Sequence, residues 1–209
     1  MSIPATIISE ENELTIYCKI TDFDGLSQAV QVLTQTQYEI KSPTGKGKIR
    51  VRSERDGRGL STYTLTTKVK NEDKNVASNT EYTTIIDNEY FDAFKAIAGK
   101  GQSKDRYLFP VTKITADNTA ADISKNESYF EVDIFADATG SRYVWCKIDL
   151  EIDSILELTD KSLTTDIDKV KITAKISNLP FKPVEAFTEE TATEEQKKFI
   201  SVLYDLWNA

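Results

Sequence analysis

Charged and apolar side chains alternate along several short segments of this 209-residue chain, and the sign of the charge changes between segments. Cations stand at alternate positions of Lys48–Arg52 and Lys104–Phe109, and carboxylates at alternate positions of Tyr129–Phe135 and Val144–Ile152. Because strand side chains point to alternate faces, each charged set lies on one face of its strand. If these faces meet, they form a cavity with cations for an anionic ligand and carboxylates for a divalent metal. If they face water, they are ordinary solvated faces.

The carboxylates have a second, structural interpretation. Opposite charges on neighbouring antiparallel strands stabilise a sheet when they pair directly across it. Glu131 and Asp133 on one segment, and Asp149 and Glu151 on the next, can therefore serve as partners for lysines and arginines instead of metal ligands. The sequence leaves both interpretations open.

Net charge and the absence of histidine limit the available chemistry. The formal charge of −8 argues against a general nucleic-acid coat, which needs a basic surface to displace counterions, and no binding to double-stranded DNA is expected. The chain has no histidine, which excludes Ser-His-Asp and Cys-His nucleophiles and histidine-ligated zinc. Any reaction must use carboxylates, lysines, arginines, tyrosines or a hard metal.

Cysteine positions and hydropathy predict a soluble, cytoplasmic protein that does not bind membranes. Cys18 and Cys146 fall on the apolar sides of predicted strands, so buried thiols in a reducing compartment are expected, with a disulfide as the alternative. Met1–Glu11 lacks the pattern of a secretory signal, and no apolar stretch approaches the roughly 20 residues that cross a bilayer.

Period-two alternation and turn signals predict a mostly β chain with a few helices. Helices are expected at Gly25–Leu33, at Asn88–Ala98 and in the tail, where Thr193 and Gln196 fit a capping box. The tail helix either packs on the body or binds a protein partner. The predicted strands are Leu14–Ile20, Gln37–Ser42, Lys48–Glu54, Leu60–Lys70, Glu81–Ile86, Lys104–Ile114, Tyr129–Ala136, Ser141–Ile152 and Lys169–Ile176.

The order of these segments resembles the CYTH family, the triphosphate-tunnel metalloenzymes, from Leu14 to about Leu179. The motifs that carry the resemblance are short and follow one another on successive strands. They are Arg50-Val51-Arg52 for an Arg-x-Arg strand, Thr66-Thr67-Lys68 for Thr-x-Lys, Glu81-Tyr82 before a helix, Lys104-Asp105-Arg106-Tyr107 for Lys-x-Arg-Tyr, Val132-Asp133-Ile134-Phe135 for Asp-x-Phe, and Asp149-Leu150-Glu151 for Glu-x-Glu.

The resemblance implies an α+β, mostly β fold: an antiparallel eight-stranded barrel, closed or nearly closed, with flanking helices. Residues 1–187 would form the barrel domain and residues 188–209 the C-terminal helix. It also implies site roles. Phosphate would be bound by Lys19, Arg50, Arg52, Lys68, Lys104 and Arg106, Mg²⁺ or Mn²⁺ by Glu131, Asp133, Asp149 and Glu151, and catalysis would depend on Asp149 and Glu151.

The chain departs from the family pattern at its carboxylates. In the first strand two expected glutamates are Thr15 and Tyr17, although Lys19 is kept; the alternative register would place Glu39-Ile40-Lys41 there. In the last strand Lys171-Ile172-Thr173 stands where the family often carries an acid. Two functions therefore remain. One is binding of inorganic triphosphate or a nucleotide, with magnesium-dependent hydrolysis. The alternative is an inactive relative that sequesters a nucleotide or RNA 5′ end, or acts as a protein-interaction or inhibitor module.

Overall fold

The computed structural model describes residues 6–40, 47–70, 78–98, 100–110, 129–136, 140–151 and 179–205. Within these ranges the chain is mostly β, with two α-helices and one short 3-10 helix at Asp24–Gln28. The predicted strand Lys169–Ile176 lies outside them. The strands are β1 (Thr6–Ile20), β2 (Gln31–Ile40), β3 (Lys48–Asp56), β4 (Ser61–Lys70), β5 (Ser78–Ile86), β6 (Lys100–Pro110), β7 (Tyr129–Ala136), β8 (Arg142–Glu151) and β9 (Pro183–Phe187), and the α-helices are α1 (Asn88–Ile97) and α2 (Glu194–Asp205).

The nine described strands form one antiparallel sheet in the order β5-β4-β3-β2-β6-β7-β8-β1-β9. β1 is long enough to pair with three strands, β5, β8 and β9. Its residues Glu13–Lys19 pair with β8, while Thr6–Asn12 pair with β5 at the other end of the order. The predicted mostly β, antiparallel fold is confirmed, whereas an eight-stranded barrel stays a prediction.

The region after β1 differs from the sequence prediction. A helix over Gly25–Leu33 was expected from apolar spacing and is wrong: a 3-10 helix covers Asp24–Gln28, and β2 already begins at Gln31. β2 pairs along its length with β3 on one side and with β6 on the other. Backbone pairing on both sides outweighs a local helical spacing, because β-branched residues suit a strand once neighbours are present.

The main apolar core lies on one face of β1, β6, β7 and β8. It contains Ile16, Phe109, Phe130 and Ile148, and is covered by the 3-10 helix and by Phe181. The core also explains why the sequence keeps strict alternation in these four strands.

The two cysteines lie in this core, opposite each other in the register of β1 and β8. Both are fully buried and free, with 3.2 Å between the sulfur atoms of Cys18 and Cys146. The prediction of buried thiols is thus confirmed. The hydrogen bond with Cys18, together with burial, raises the pKa of the Cys146 thiol.

A smaller apolar cluster lies on the opposite face of the sheet, at one end. Tyr17 and Phe135 are buried there against Phe187 of β9 and Leu203 of α2. The rings of Trp145 and Phe199 stack with centroids 4.5 Å apart. α2 therefore packs on the sheet through its apolar stripe.

Local signals define both α-helices as predicted. At α2, Thr193 and Gln196 form the reciprocal capping box, with the Thr193 amide donating to Gln196 Oε1 at 2.8 Å. At α1, the Asp87 side chain accepts from the Tyr90 amide at 2.9 Å. Neither of these helices, nor the 3-10 helix, is long and apolar enough to cross a bilayer.

We predict that Gly25→Ala destabilises the fold because no room exists for a β-carbon. An ideal Cβ at Gly25 would stand 2.2 Å from the Pro180 carbonyl oxygen, so the segment that covers the main core must move. Overpacking of this kind costs about 1–3 kcal/mol. Gly57→Ala is the matched control, since nothing lies within 4 Å of its Cβ position. Urea unfolding measures both; equal stability of the two variants would contradict the close approach.

Candidate functional site

The predicted charged residues that the structure describes lie on one face of the sheet, which we call the polar face. It is the face opposite the main core, and its side chains contact one another across neighbouring strands. Its charged members include Lys19 on β1, Glu39 on β2, Lys48, Arg50, Arg52 and Glu54 on β3, Lys68 on β4, Glu81 on β5, Lys104 and Arg106 on β6, Glu131 and Asp133 on β7, and Lys147 and Asp149 on β8. Glu151 ends β8, and its side chain is outside the described part of the structure.

Three carboxylates on β7 and β8 converge on a single guanidinium, that of Arg106 on β6. Arg106 Nε donates to Asp133 Oδ1 at 2.7 Å and Nη2 donates to Asp133 Oδ2 at 2.9 Å. Nη1 forms an ion pair with Glu131, and Nη2 lies 3.8 Å from Asp149 Oδ2. We call these four residues, with Lys104 and Lys147, the acidic cluster.

The two lysines complete the charge balance of the acidic cluster. Lys104 forms a buried ion pair with Asp133. Lys147 Nζ lies 2.6 Å from Asp149 Oδ2, and Thr15 Oγ1 donates to Asp149 Oδ1 at 2.8 Å. Three carboxylates thus face three cations, so the cluster is formally neutral without any bound ion. Cross-strand pairing, the structural interpretation of the carboxylates, is what the structure shows.

Burial and neighbouring charges shift the pKa values in this cluster in different directions. Burial raises the pKa of Asp133, but Arg106 and Lys104 outweigh it and hold the pKa of that carboxyl well below its usual range. Burial also raises the pKa of Glu131, against the opposing charge of Arg106. Burial, then the charge of Arg106, lowers the pKa of Lys104 to about 7. Asp133 therefore stays ionised to a lower pH than Glu131 does.

The acidic cluster does not fit a divalent metal as it stands. Magnesium requires nearly octahedral oxygen ligands at about 2.1 Å. Here Arg106 and the two lysines already occupy the oxygens of Asp133 and Asp149. In the part of the chain that the structure describes, no group of three Asp, Glu, Cys or His side chains is placed to hold a metal ion. The roles of Asp149 and Glu151 in catalysis stay predictions.

A second cluster on the polar face is dominated by cations. It contains Arg50 and Arg52 on β3 and Lys68 on β4, and we call these three the basic cluster. Lys68 Nζ lies 2.6 Å from Glu81 Oε1, and Arg50 Nη2 lies 3.7 Å from the same atom. Glu81 therefore contacts two of the three cations.

Arg52 is the least satisfied cation of the basic cluster. Its Nη2 donates to a neutral acceptor, Gln37 Oε1, at 3.1 Å, and its buried Nε has no hydrogen-bond partner within the described residues. Burial, followed by the charges of Arg50 and Arg106, lowers the pKa of Arg52 to about 9. The nearby carboxylate of Glu54 accepts from Gln35 at 2.7 Å. Arg52 thus lies half-buried near Arg50 and Arg106, and Nη2 donates its hydrogen bond to a neutral acceptor.

The polar face also contains glutamines that the sequence patterns did not single out. Gln37 donates to Gln102 Oε1 at 2.9 Å, and Gln102 donates to the Leu203 carbonyl of α2 at 2.5 Å. A chain of amides therefore connects α2 to Arg52. Strand alternation alone could have predicted that these glutamines share a face with the charged residues. Those sequence patterns rest on charged residues, whereas a glutamine side chain is neutral.

Lys19 lies at the apolar end of the polar face. Its Nζ is 2.7 Å from Glu185 Oε2 of β9 and 4.5 Å from the centre of the Trp145 ring. A salt bridge to β9 and a cation–π contact thus account for its position. The structure does not bring it into the basic cluster with Arg50, Arg52 and Lys68.

Comparisons with known proteins give two solved structures of similar shape. "The crystal structure of the hypothetical protein NE1496" is 17% identical with a TM-score of 0.45, and the match covers 88% of this chain and 95% of that one. "The crystal structure of the inorganic triphosphatase NE1496" is 18% identical with a TM-score of 0.43, covering 88% and 91%. A likeness at this level shows neither a family nor an activity for this chain. No family model and no curated protein matches the chain.

We predict that Asp133→Asn removes a stabilisation that depends on pH. A depressed carboxyl pKa stabilises the native state above the ordinary pKa of about 4, and this contribution is lost as the pH falls toward the native pKa. Removing one partner of a buried ion pair costs about 3–5 kcal/mol at pH 7. In urea unfolding between pH 7 and pH 2, the variant should therefore be less stable at pH 7 and show a flatter pH dependence.

The matched control is Asp105→Asn, on the same sheet but in a more exposed pair. Asp105 contacts Arg142 at 2.8 Å and accepts from Thr34 at 2.9 Å. Exposed pairs contribute about 1 kcal/mol or less. If both variants lost the same stability at pH 7, Asp133 would not be the centre of a buried ion network.

Proposed function

We propose that the basic cluster binds the phosphate groups of a triphosphate-containing ligand, either inorganic triphosphate or a nucleotide. The observation that carries the proposal is Arg52, a half-buried side chain whose Nη2 has a neutral partner and whose buried Nε has none among the described residues. Burying a charge without a counterion costs folding free energy. A bound ion of opposite sign would offset that cost. A bound anion would neutralise Arg52 and supply the missing hydrogen-bond acceptor.

The chemistry of the cluster favours phosphate over other anions. Arg50 and Arg52 stand two residues apart on one face of β3, and Lys68 follows on β4. Guanidinium groups form paired hydrogen bonds with phosphate oxygens, and an ammonium group adds a point charge. The hydroxyl groups of Thr66 and Thr83, 3.1 Å apart, add neutral donors beside Arg50. Several cations in a row suit a ligand with several linked phosphates.

We also propose that the sheet surrounds the polar face, as the predicted barrel would. Support comes from β1, which pairs with β8 and also with β5, so that both ends of the strand order meet on one strand. A surrounded site would be shielded from the acidic exterior. With the aromatic cluster and α2 at one end, the ligand would enter from the other.

The activity that best fits these contacts is binding of the triphosphate-containing ligand without metal-dependent hydrolysis. Cations already engage Glu131, Asp133 and Asp149, and the first strand carries Thr15 and Tyr17 where the resembling family has glutamates. These three carboxylates are therefore not free to hold a metal or to orient water. The proposed protein sequesters or senses its ligand.

We predict that Arg52→Ala and Lys68→Ala each weaken the binding of tripolyphosphate by about tenfold or more. A hydrogen bond to a charged group contributes about 1.5–3 kcal/mol, which corresponds to that range. Arg52→Ala should keep the fold or stabilise it, because it removes a buried cation from among others. Isothermal titration with tripolyphosphate and with ATP measures affinity, and urea unfolding measures stability.

The matched control is Arg55→Ala, which removes the same charge from the same strand. Arg55 is exposed and lies on the opposite face of β3, so its loss should leave affinity unchanged. Equal affinity of wild type and Arg52→Ala would contradict the proposed site. Phosphate release from the titrated samples would instead show an enzyme, and the binding proposal would have to include hydrolysis.

A further inference from the structure

We infer that Arg106 is a fixed internal cation that takes the place of a divalent metal in the acidic cluster, so that the basic cluster binds its ligand in the metal-free form. The second part rests on the proposed binding of a triphosphate; the first part does not. The inference concerns the form of the ligand that this chain recognises and the residue that determines it.

Arg106 already engages carboxylate oxygens that a metal would use. Three of its nitrogen atoms are directed at Asp133, Glu131 and Asp149, with two parallel hydrogen bonds to Asp133. The side chain of Arg106 is only 12% exposed, and those of Asp133 and Asp149 are 0% and 4% exposed. A metal bound to these oxygens would have to displace a buried, multiply bonded guanidinium.

Charge balance gives the same result independently. The acidic cluster pairs three carboxylates with Lys104, Arg106 and Lys147, so its formal charge is already zero when all six groups are ionised. A divalent cation added there would leave a buried excess of positive charge, which is unfavourable at low dielectric. While Arg106 is in place, the charges of the acidic cluster therefore do not favour binding of a metal ion.

The basic cluster sets the preferred ligand form. Its cations attract negative charge, and a triphosphate that carries Mg²⁺ has two fewer negative charges than the free ligand. In a metal-dependent site, the carboxylates compensate by binding the metal that the ligand carries. Here those carboxylates bind Arg106 and the two lysines. Free triphosphate is therefore the better ligand, and Mg²⁺ acts as a competitor that removes it from solution.

The first experiment measures metal binding without any triphosphate. Mn²⁺ is titrated into the wild-type protein and into Arg106→Ala, with free Mn²⁺ followed by electron paramagnetic resonance. Wild type should show no binding at submillimolar Mn²⁺, whereas Arg106→Ala should bind at least about tenfold more tightly, because its carboxylates lose their central partner. Submillimolar Mn²⁺ binding by the wild type, or the same weak binding by wild type and a folded Arg106→Ala, would overturn the assignment.

The matched control for this variant is Arg142→Ala. Arg142 also pairs with a carboxylate, Asp105, at 2.8 Å. However, Arg142 is half exposed, and this pair lies outside the acidic cluster. Its removal should create no Mn²⁺ site. A gain of Mn²⁺ affinity in Arg142→Ala equal to that in Arg106→Ala would show a general effect of lost positive charge and would overturn the specific role of Arg106.

The second experiment needs no variant and decides the question even if Arg106→Ala does not fold. Tripolyphosphate is titrated into wild type in EDTA and in saturating Mg²⁺. Affinity should fall at least about tenfold in Mg²⁺; equal or higher affinity in Mg²⁺ would overturn the metal-free form. Absence of binding in both buffers would overturn the proposed function and the ligand-form inference with it, while the wild-type Mn²⁺ titration would still decide whether Arg106 replaces a metal.

Discussion

The buried ion network around Asp133 is the interaction on which the polar face depends. Asp133 is fully buried, and it is tolerated there because Arg106 holds both of its oxygens and Lys104 adds a second cation. These bonds join β6 to β7 and hold the Arg106 guanidinium at one place. A buried carboxylate without partners is far less stable than a paired one. Burial of Asp133 therefore requires that Arg106 and Lys104 stay beside it.

The same network divides the polar face into two regions with different electrostatic character. Around Arg106 the charges balance, so the acidic cluster is complete without a ligand. Around Arg52 the described contacts are different: Glu81 contacts both Arg50 and Lys68, and Nη2 of Arg52 donates to the neutral side chain of Gln37. This difference between the two regions is why we propose the basic cluster, and not the acidic cluster, as the place where an anion binds.

The apolar parts of the structure hold these two regions in position. The main core fixes the opposite face of β1, β6, β7 and β8, so that alternate residues of those strands have one possible direction. At one end of the polar face, Leu203 of α2 and Phe187 of β9 cover Tyr17 and Phe135. The hydrogen bonds from Leu203 through Gln102 and Gln37 then reach Arg52, which links the packing of α2 to the orientation of the unsatisfied cation.

The sequence by itself determined which residues share a face of a strand. It also determined, through capping residues, where the α-helices begin. Period-two alternation put Arg50 with Arg52 and Lys104 with Arg106, and short-range side-chain bonds defined the caps at Asp87 and Thr193. Tertiary structure alone decided that β2 replaces the helix expected at Gly25–Leu33 and that Lys19 binds Glu185. It also decided that Arg106 meets the carboxylates predicted to hold a metal. The physical reason is that side-chain direction along a strand is a local property, whereas the partner a charge meets depends on strand order and register across the sheet.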